Sequence, residues 1–286
     1  MTLFRRAFAI LLALLTAQPA LAAPALWKIA HDNTTIYLFG TIHALPPGYK
    51  WQGPALEKAF ASADTLVIET LIDKDPQAIA RLFPPPNPSL LPILQRVPEK
   101  SRAPLAAMIA KAGLGANQLD QMPTWQAAFM MMGAMMRDLG VDRGSGVEQV
   151  LDTRFATATK TIEGLETTSQ QLGYFAALSE ADQRELLTGL VDGSGDAKTD
   201  YDKMVKAWST GDEKALAQVV AADEDLSPHL RDVLLKERNA NWVKWLKARL
   251  DRPGTVLVAV GAGHLAGPMS VQKMLESAGV KVERVQ

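Results

Sequence analysis

Short apolar runs punctuate both ends of the chain, and helical periodicity fills the space between them. The segment Leu26–Gly40 reads as two short strands about a polar turn at His31-Asp32-Asn33. Gly53–Ala63 then carries apolar residues at helical spacing, and Leu66–Ile68 follows as a buried strand ending at Glu69. This strand–helix–strand order predicts a parallel βαβ unit. Leu82–Pro92 is a proline-broken loop, because each proline pushes the preceding residue out of the helical region. From there to about Arg137 the pattern is helical, and Gly146–Thr159 adds another amphipathic helix. Thr161–Leu165 reads as a short strand with Glu163 and Glu166 near its end. Helices resume through Val191, Asp192–Asp200 reads as a Gly/Ser/Asp-rich surface loop, and a long helical pattern ends at Leu250. Thr255–Val260 is the last strong strand, followed by a helix at Pro268–Gly279 and a final strand at Val280–Val285.

The predicted class is α/β: a mixed sheet built from N- and C-terminal βαβ-type segments, with a large, mostly helical middle at about residues 85–250. No tandem repeat of constant period and no inter-domain linker stands out, so residues 23–286 are expected to form a single domain. Five methionines at positions 130, 131, 132, 135 and 136 fit adaptable core packing, or a groove for an apolar partner, better than soft-metal binding.

Composition narrows the class further. The 286 residues are 48% hydrophobic, with a net charge of −1, so no basic surface argues for nucleic acid or an anionic membrane. Residues 1–22 read as a cleaved signal peptide. Arg5 and Arg6 precede a short apolar run from Ala7 to Thr16, and Ala20-Leu21-Ala22 is a small-x-small cleavage site. Cutting there removes two arginines and no acids, which takes the net charge from −1 to −3 and leaves no stable membrane span. A periplasmic or secreted protein is expected. With no cysteine in the chain, disulfides, thiolate ligands and a catalytic thiol are all excluded. Any metal site must be built from His, Asp and Glu.

Candidate chemistry clusters just beyond the predicted strands. Gly40 and His43 follow one, Glu69 another, Glu166 a third, and Gly261, Gly263 and His264 a fourth. Ligands of open α/β sheets bind outside the carboxyl ends of parallel strands, and glycines there permit the tight turns that aim a side chain at the crevice. Two histidines and a carboxylate are a common set for a catalytic divalent metal with one open position, which would activate water and polarise a carbonyl. A further carboxylate would serve as base or outer-shell partner. His31 and His229 read as solvent-facing or capping residues. Arg238 and Asn239 lie inside a long helix. Turned inward, Arg238 would hold a carboxylate or an oxyanion, although helical spacing alone favours a solvated charged face.

The paired motifs "LFGTIH" and "VGAGHLAG" resemble those of the TraB/PrgY/GumN family, which includes the animal Tiki proteins. The resemblance extends to Trp51, to "ADTLVIE" ending at Glu69, to "GLET" containing Glu166, to "ERN" at Glu237–Asn239, and to the closing "LESAGVKVERV". It covers about Trp27 to Val285 and is nearest to secreted bacterial GumN-type members. It implies an erythromycin-esterase/ChaN-like fold and a metal-dependent protease acting on peptide or protein substrates. The implied metal is manganese or cobalt, with zinc as an alternative. His43 and His264 would be ligands, Glu69 a ligand or the catalytic carboxylate, and Arg238 and Asn239 active-site support, with a less defined role for Glu166. The other function left open is non-catalytic: a periplasmic binding protein for haem, metal or peptide, or an accessory to polysaccharide export.

Overall fold

The computed structural model describes residues 23–71, 75–221 and 227–286, so the expected signal segment lies outside the described residues. Six strands form one sheet: β1 (Leu26–His31), β2 (Thr34–Thr41), β3 (Thr65–Leu71), β4 (Thr161–Thr167), β5 (Gly254–Gly261) and β6 (Glu283–Arg284). Their spatial order is β4-β3-β5-β2-β1-β6. β2, β3, β4 and β5 are mutually parallel; β1 is antiparallel to both β2 and β6, so β1 alone runs backwards. The fold is α/β with a mixed sheet.

Alternation along the strands explains the two cores. On β5, Leu257 and Ala259 face one side of the sheet, whereas Val256, Val258 and Val260 face the other. Both faces are buried, as expected of parallel strands covered by helices. The first face packs on the helices Pro54–Ser62, Val147–Thr157 and Ala197–Ser209. The second packs on Glu237–Leu250 and Val271–Ser277. A separate apolar cluster joins the helices Glu99–Lys111, Thr124–Asp138 and Glu180–Asp192. Met131 is buried in that cluster, Met130 packs on its edge, and Met136 packs against the main core. The methionines follow the packing expectation, with Met132 left 39% exposed.

Several elements depart from their sequence outlines. The expected βαβ unit exists, but β2 and β3 are not neighbours, because β5 enters between them. β4 falls where the sequence places a strand within the helical middle, and it joins the sheet beside β3. Asp192–Asp200 is not a surface loop: a 3-10 turn at Gly193–Gly195 leads into a helix starting at Ala197. Local Gly/Ser/Asp content misled here, because Tyr201 and Val205 bury the following helix against the core. The expected final strand shrinks to Glu283–Arg284, which pairs only with Trp27 and Lys28.

The end of β2 and the loop after it are held from two sides. Trp208 Nε1 donates to the Gly40 carbonyl at 2.7 Å, and the Tyr201 hydroxyl donates to the Ala44 carbonyl at 2.8 Å. Opposite, Leu45 and Asp142 exchange two backbone hydrogen bonds, and Val147 N donates to Ile42 O at 3.0 Å. Gly146 makes this approach possible, since a Cβ there would lie 2.0 Å from the His43 carbonyl oxygen. Gly146→Ala should therefore destabilise the protein by about 1–3 kcal/mol in urea unfolding, as overpacked sites do. A change within about 0.5 kcal/mol would show that the two segments part easily.

Candidate functional site

All four parallel strands end on the same edge, and each of those ends supplies a polar side chain to one cluster. Glu69 comes from β3 and Glu166 from β4, where Thr70 and Glu166 are register partners. His43 follows β2, and His264 lies in the 3-10 turn after β5. Arg238 and Asn239 reach the cluster from the helix Glu237–Leu250, which overlies the sheet. A π-helical turn at Asp232–Lys236 immediately precedes that helix. Such a turn inserts an extra residue and rotates the following face. Spacing favoured a solvated face here, yet Arg238 and Asn239 are only 6% and 1% exposed.

Arg238 lies at the centre. Its Nε and Nη2 donate to both oxygens of Glu166, at 2.9 to 3.2 Å. Nη2 also donates to Glu69 Oε2 at 2.8 Å, and Nη1 lies 3.1 Å from His264 Nε2. Trp242, one turn further along the helix, donates Nε1 to Glu166 Oε1 at 2.9 Å and stacks its ring under the guanidinium, 4.9 Å away. Glu166 is thus wholly engaged by Arg238 and Trp242.

Glu69 is equally surrounded. Its Oε1 accepts from Gly261 N at 2.6 Å, and Gln171 Nε2 donates to Oε2 at 3.3 Å. Burial pushes this carboxyl up, but His264, His43, Arg238 and the Gly261 amide outweigh burial and hold it at about 2. Burial pushes His264 down to about 4, with help from Arg238 and His43 and against Glu69. His264 is therefore neutral at pH 7, and the charge that keeps Glu69 ionised there comes from Arg238 and His43.

Both histidines have one ring nitrogen pinned. Asn239 Nδ2 donates to the carbonyls of His264 and Met269, which leaves Oδ1 as the acceptor for His264 Nδ1 at 2.6 Å. His264 Nδ1 then carries the proton, and the Nε2 lone pair faces Arg238. His43 Nδ1 meets Glu148 Oε1 at 2.6 Å, and that oxygen also accepts from Thr41 Oγ1. His43 Nε2 turns inward: a Cβ on Gly261 would lie 2.9 Å from Glu69 Oε1 and 3.3 Å from His43 Nε2. Gly261 thus keeps open the gap between them. Desolvation of the inner face of His43 opposes its charge, but Glu148, and beyond it Glu69, raise it to about 9.

The cluster joins every candidate: His43, Glu69, Glu166, Arg238, Asn239 and His264. Glu163 stays exposed, in register with Val67 and outside the cluster. His31 and His229 face solvent. Glu148 and Gln171 are participants that sequence reasoning missed. The nearest sequence signal for Glu148 is its place two residues after Gly146, where the chain passes the His43 loop.

The donor set suits a divalent first-row ion: imidazole nitrogens with the opposite nitrogen anchored, beside a carboxylate. Among the described residues, however, no group of three His, Cys, Asp or Glu side chains is placed to hold an ion, and the Arg238 guanidinium lies against His264 Nε2. A cleft of about 790 Å³ between Gln95–Pro98 and the helix Glu180–Asp192 shares no residue with this cluster. Arg96, in its wall, is spent on the backbone carbonyls of Leu91, Asp120 and Met122.

Comparison with known proteins gives a consistent picture. A family model described as the TraB/PrgY/gumN family matches residues 25–284. The chain is similar to the uncharacterised protein YbaP of Escherichia coli (strain K12), at 24% identity over 252 residues, covering 88% of this chain and 92% of that protein. YbaP of Shigella flexneri matches over the same span at the same identity. No solved structure matches the chain.

Two outcomes test this electrostatic account. Arg238→Ala should cost about 3–5 kcal/mol in chemical unfolding, since it leaves two buried carboxylates without their cation. A loss below about 1 kcal/mol would mean that the network is well hydrated. The second concerns pH. The folded-state pKa of His43, about 9, exceeds its ordinary value of 6.5, so its pairing stabilises the fold fully below about pH 6.5. That contribution is lost as pH rises through about 9. Tm should fall over this interval, and His43→Gln should flatten the fall. An equally steep fall in the variant would refute the assignment.

Proposed function

The chain belongs to the TraB/PrgY/gumN family, and from that premise we propose that it is a secreted, metal-dependent hydrolase acting on peptides, of the Tiki-like, GumN-type branch. One observation carries the reading. Two histidines from opposite ends of the chain are each anchored at Nδ1 and present Nε2 towards the surroundings of one carboxylate, Glu69. Charge supports it. Glu69 and Glu166 share one guanidinium, Arg238, and Glu148 adds a third carboxylate beside His43, so with both histidines neutral these carboxylates outnumber that cation by two. A divalent cation matches that balance.

His43, His264 and Glu69 would hold the ion, with manganese or cobalt favoured and zinc possible. The bound ion would supply a Lewis acid and an activated water at neutral pH. Glu69, held at about 2, is too weak a base to move protons near pH 7 and acts as a ligand. Asn239 has its amide committed to two carbonyls and one imidazole, so it orients His264 and has no donor left for substrate. Arg238 fixes Glu69 and Glu166. With His264 holding the ion, Arg238 Nη1–H would be free to donate to the charge developing on a carbonyl oxygen. A non-catalytic binding role, for haem, metal or peptide, or in polysaccharide export, is the rival. It is favoured by the closure of the cluster around Arg238.

The deciding experiment measures the metal content of the purified mature protein and its cleavage of a peptide library with added Mn²⁺ or Co²⁺. His43→Ala and His264→Ala should each lower metal affinity and cleavage by more than the ~10–100-fold that loss of an outer-shell partner costs. Unchanged metal content and cleavage in both variants would refute the hydrolase. A Soret shift on haem titration, without peptide cleavage, would select the binding role.

A further inference from the structure

Glu148 belongs to no strand end and to neither Gly-x-x-His motif. It sits in the first turn of the helix Val147–Thr157, and its side chain is 18% exposed. An acidic residue there would favour the helix dipole wherever it pointed. Instead a single oxygen, Oε1, receives both the Thr41 hydroxyl at 2.5 Å and His43 Nδ1 at 2.6 Å. Bonds this short to a carboxylate are charge-assisted and directional. An ionised carboxylate can only accept, so the hydrogen must reside on Nδ1.

The backbone shows that this meeting is enforced. Three hydrogen bonds join Ile42 and Leu45 to Asp142 and Val147, and Gly146 passes the His43 carbonyl at a spacing that excludes a side chain. Thr41, the last residue of β2, holds Glu148 from the sheet side. The carboxylate is thus held between Thr41 and His43, while the His43 ring, 62% exposed, has no other hydrogen-bonding anchor among the described residues. His264 needs no such help, because it is buried and fixed by Asn239.

We propose that Glu148 is a positioning residue that fixes His43 as the Nδ1–H tautomer and turns Nε2 towards Glu69. The proposal extends the metal-dependent reading of the same site and rests on His43 being one of its donors. It makes the two histidines unequal. The buried one is set by a neutral amide, and the exposed one by a carboxylate that also strengthens Nε2 as a donor.

The test reads the ring directly. ¹⁵N-histidine NMR of the full chain, at a pH where His43 is neutral, should show Nδ1–H in the wild type. Glu148→Gln retains an acceptor oxygen and should preserve that tautomer. Glu148→Leu fills similar space without an acceptor and should shift His43 towards Nε2–H. Mn²⁺ affinity should fall by ~10–100-fold in the Leu variant and much less in the Gln variant. If Glu148→Leu does not fold, Thr41→Val, which frees the carboxylate from the sheet, should broaden the His43 resonances. A wild type that binds no Mn²⁺, but whose tautomer follows Glu148, supports the positioning role and removes the metal. An unchanged tautomer in folded Glu148→Leu overturns the positioning role, whether or not Mn²⁺ binds.

Discussion

A guanidinium buried between two carboxylates sets the terms for this protein. Arg238, Glu69 and Glu166 are each under 10% exposed, on a helix and two adjacent strands. Removing three charges from water costs several kcal/mol per ion, and mutual attraction recovers this only with good geometry and full hydrogen bonding. Every partner therefore has to be in place: the Gly261 amide, Gln171, the Trp242 indole and the His264 ring. Such clusters add little net stability compared with apolar packing, but they tolerate few alternative arrangements. The helix Glu237–Leu250 is thereby held in one register over β3, β4 and β5.

The same arithmetic of charge explains why the two histidines behave in opposite ways. His264 is enclosed with the arginine and loses its proton readily. His43 stands at the rim beside Glu148 and keeps its proton well above neutrality. Two copies of one short motif, placed at parallel strand ends, thus become chemically distinct through their neighbours alone.

Much of this could be read along the chain. Apolar runs gave five of the six strands close to their observed positions, because both faces of a parallel sheet demand continuous hydrophobicity. His43, His264, Glu69 and Glu166 were visible as polar residues stranded just past such runs. Arg238 was harder, since helical spacing described its face as solvated, and only the contact with the sheet reveals it as buried. Glu148 was out of reach. Its helix has an ordinary amphipathic pattern, and its partners lie about a hundred residues earlier. The short edge strand β6 and the helical turn after Asp192 were misjudged because local composition outweighed the tertiary contacts that decide them.

One consequence follows from the order of the strands. β5 occupies the slot between β2 and β3, so those two never touch and are joined only by a segment nearly two hundred residues later. An N-terminal portion of the chain cannot close its own sheet, and loop closure of this span must come first. The sheet closes only when the C-terminal strand pairs, a long-range contact of the kind that slows folding. The strand that completes the sheet is also the one that delivers His264, so closing the sheet and completing the cluster are one event.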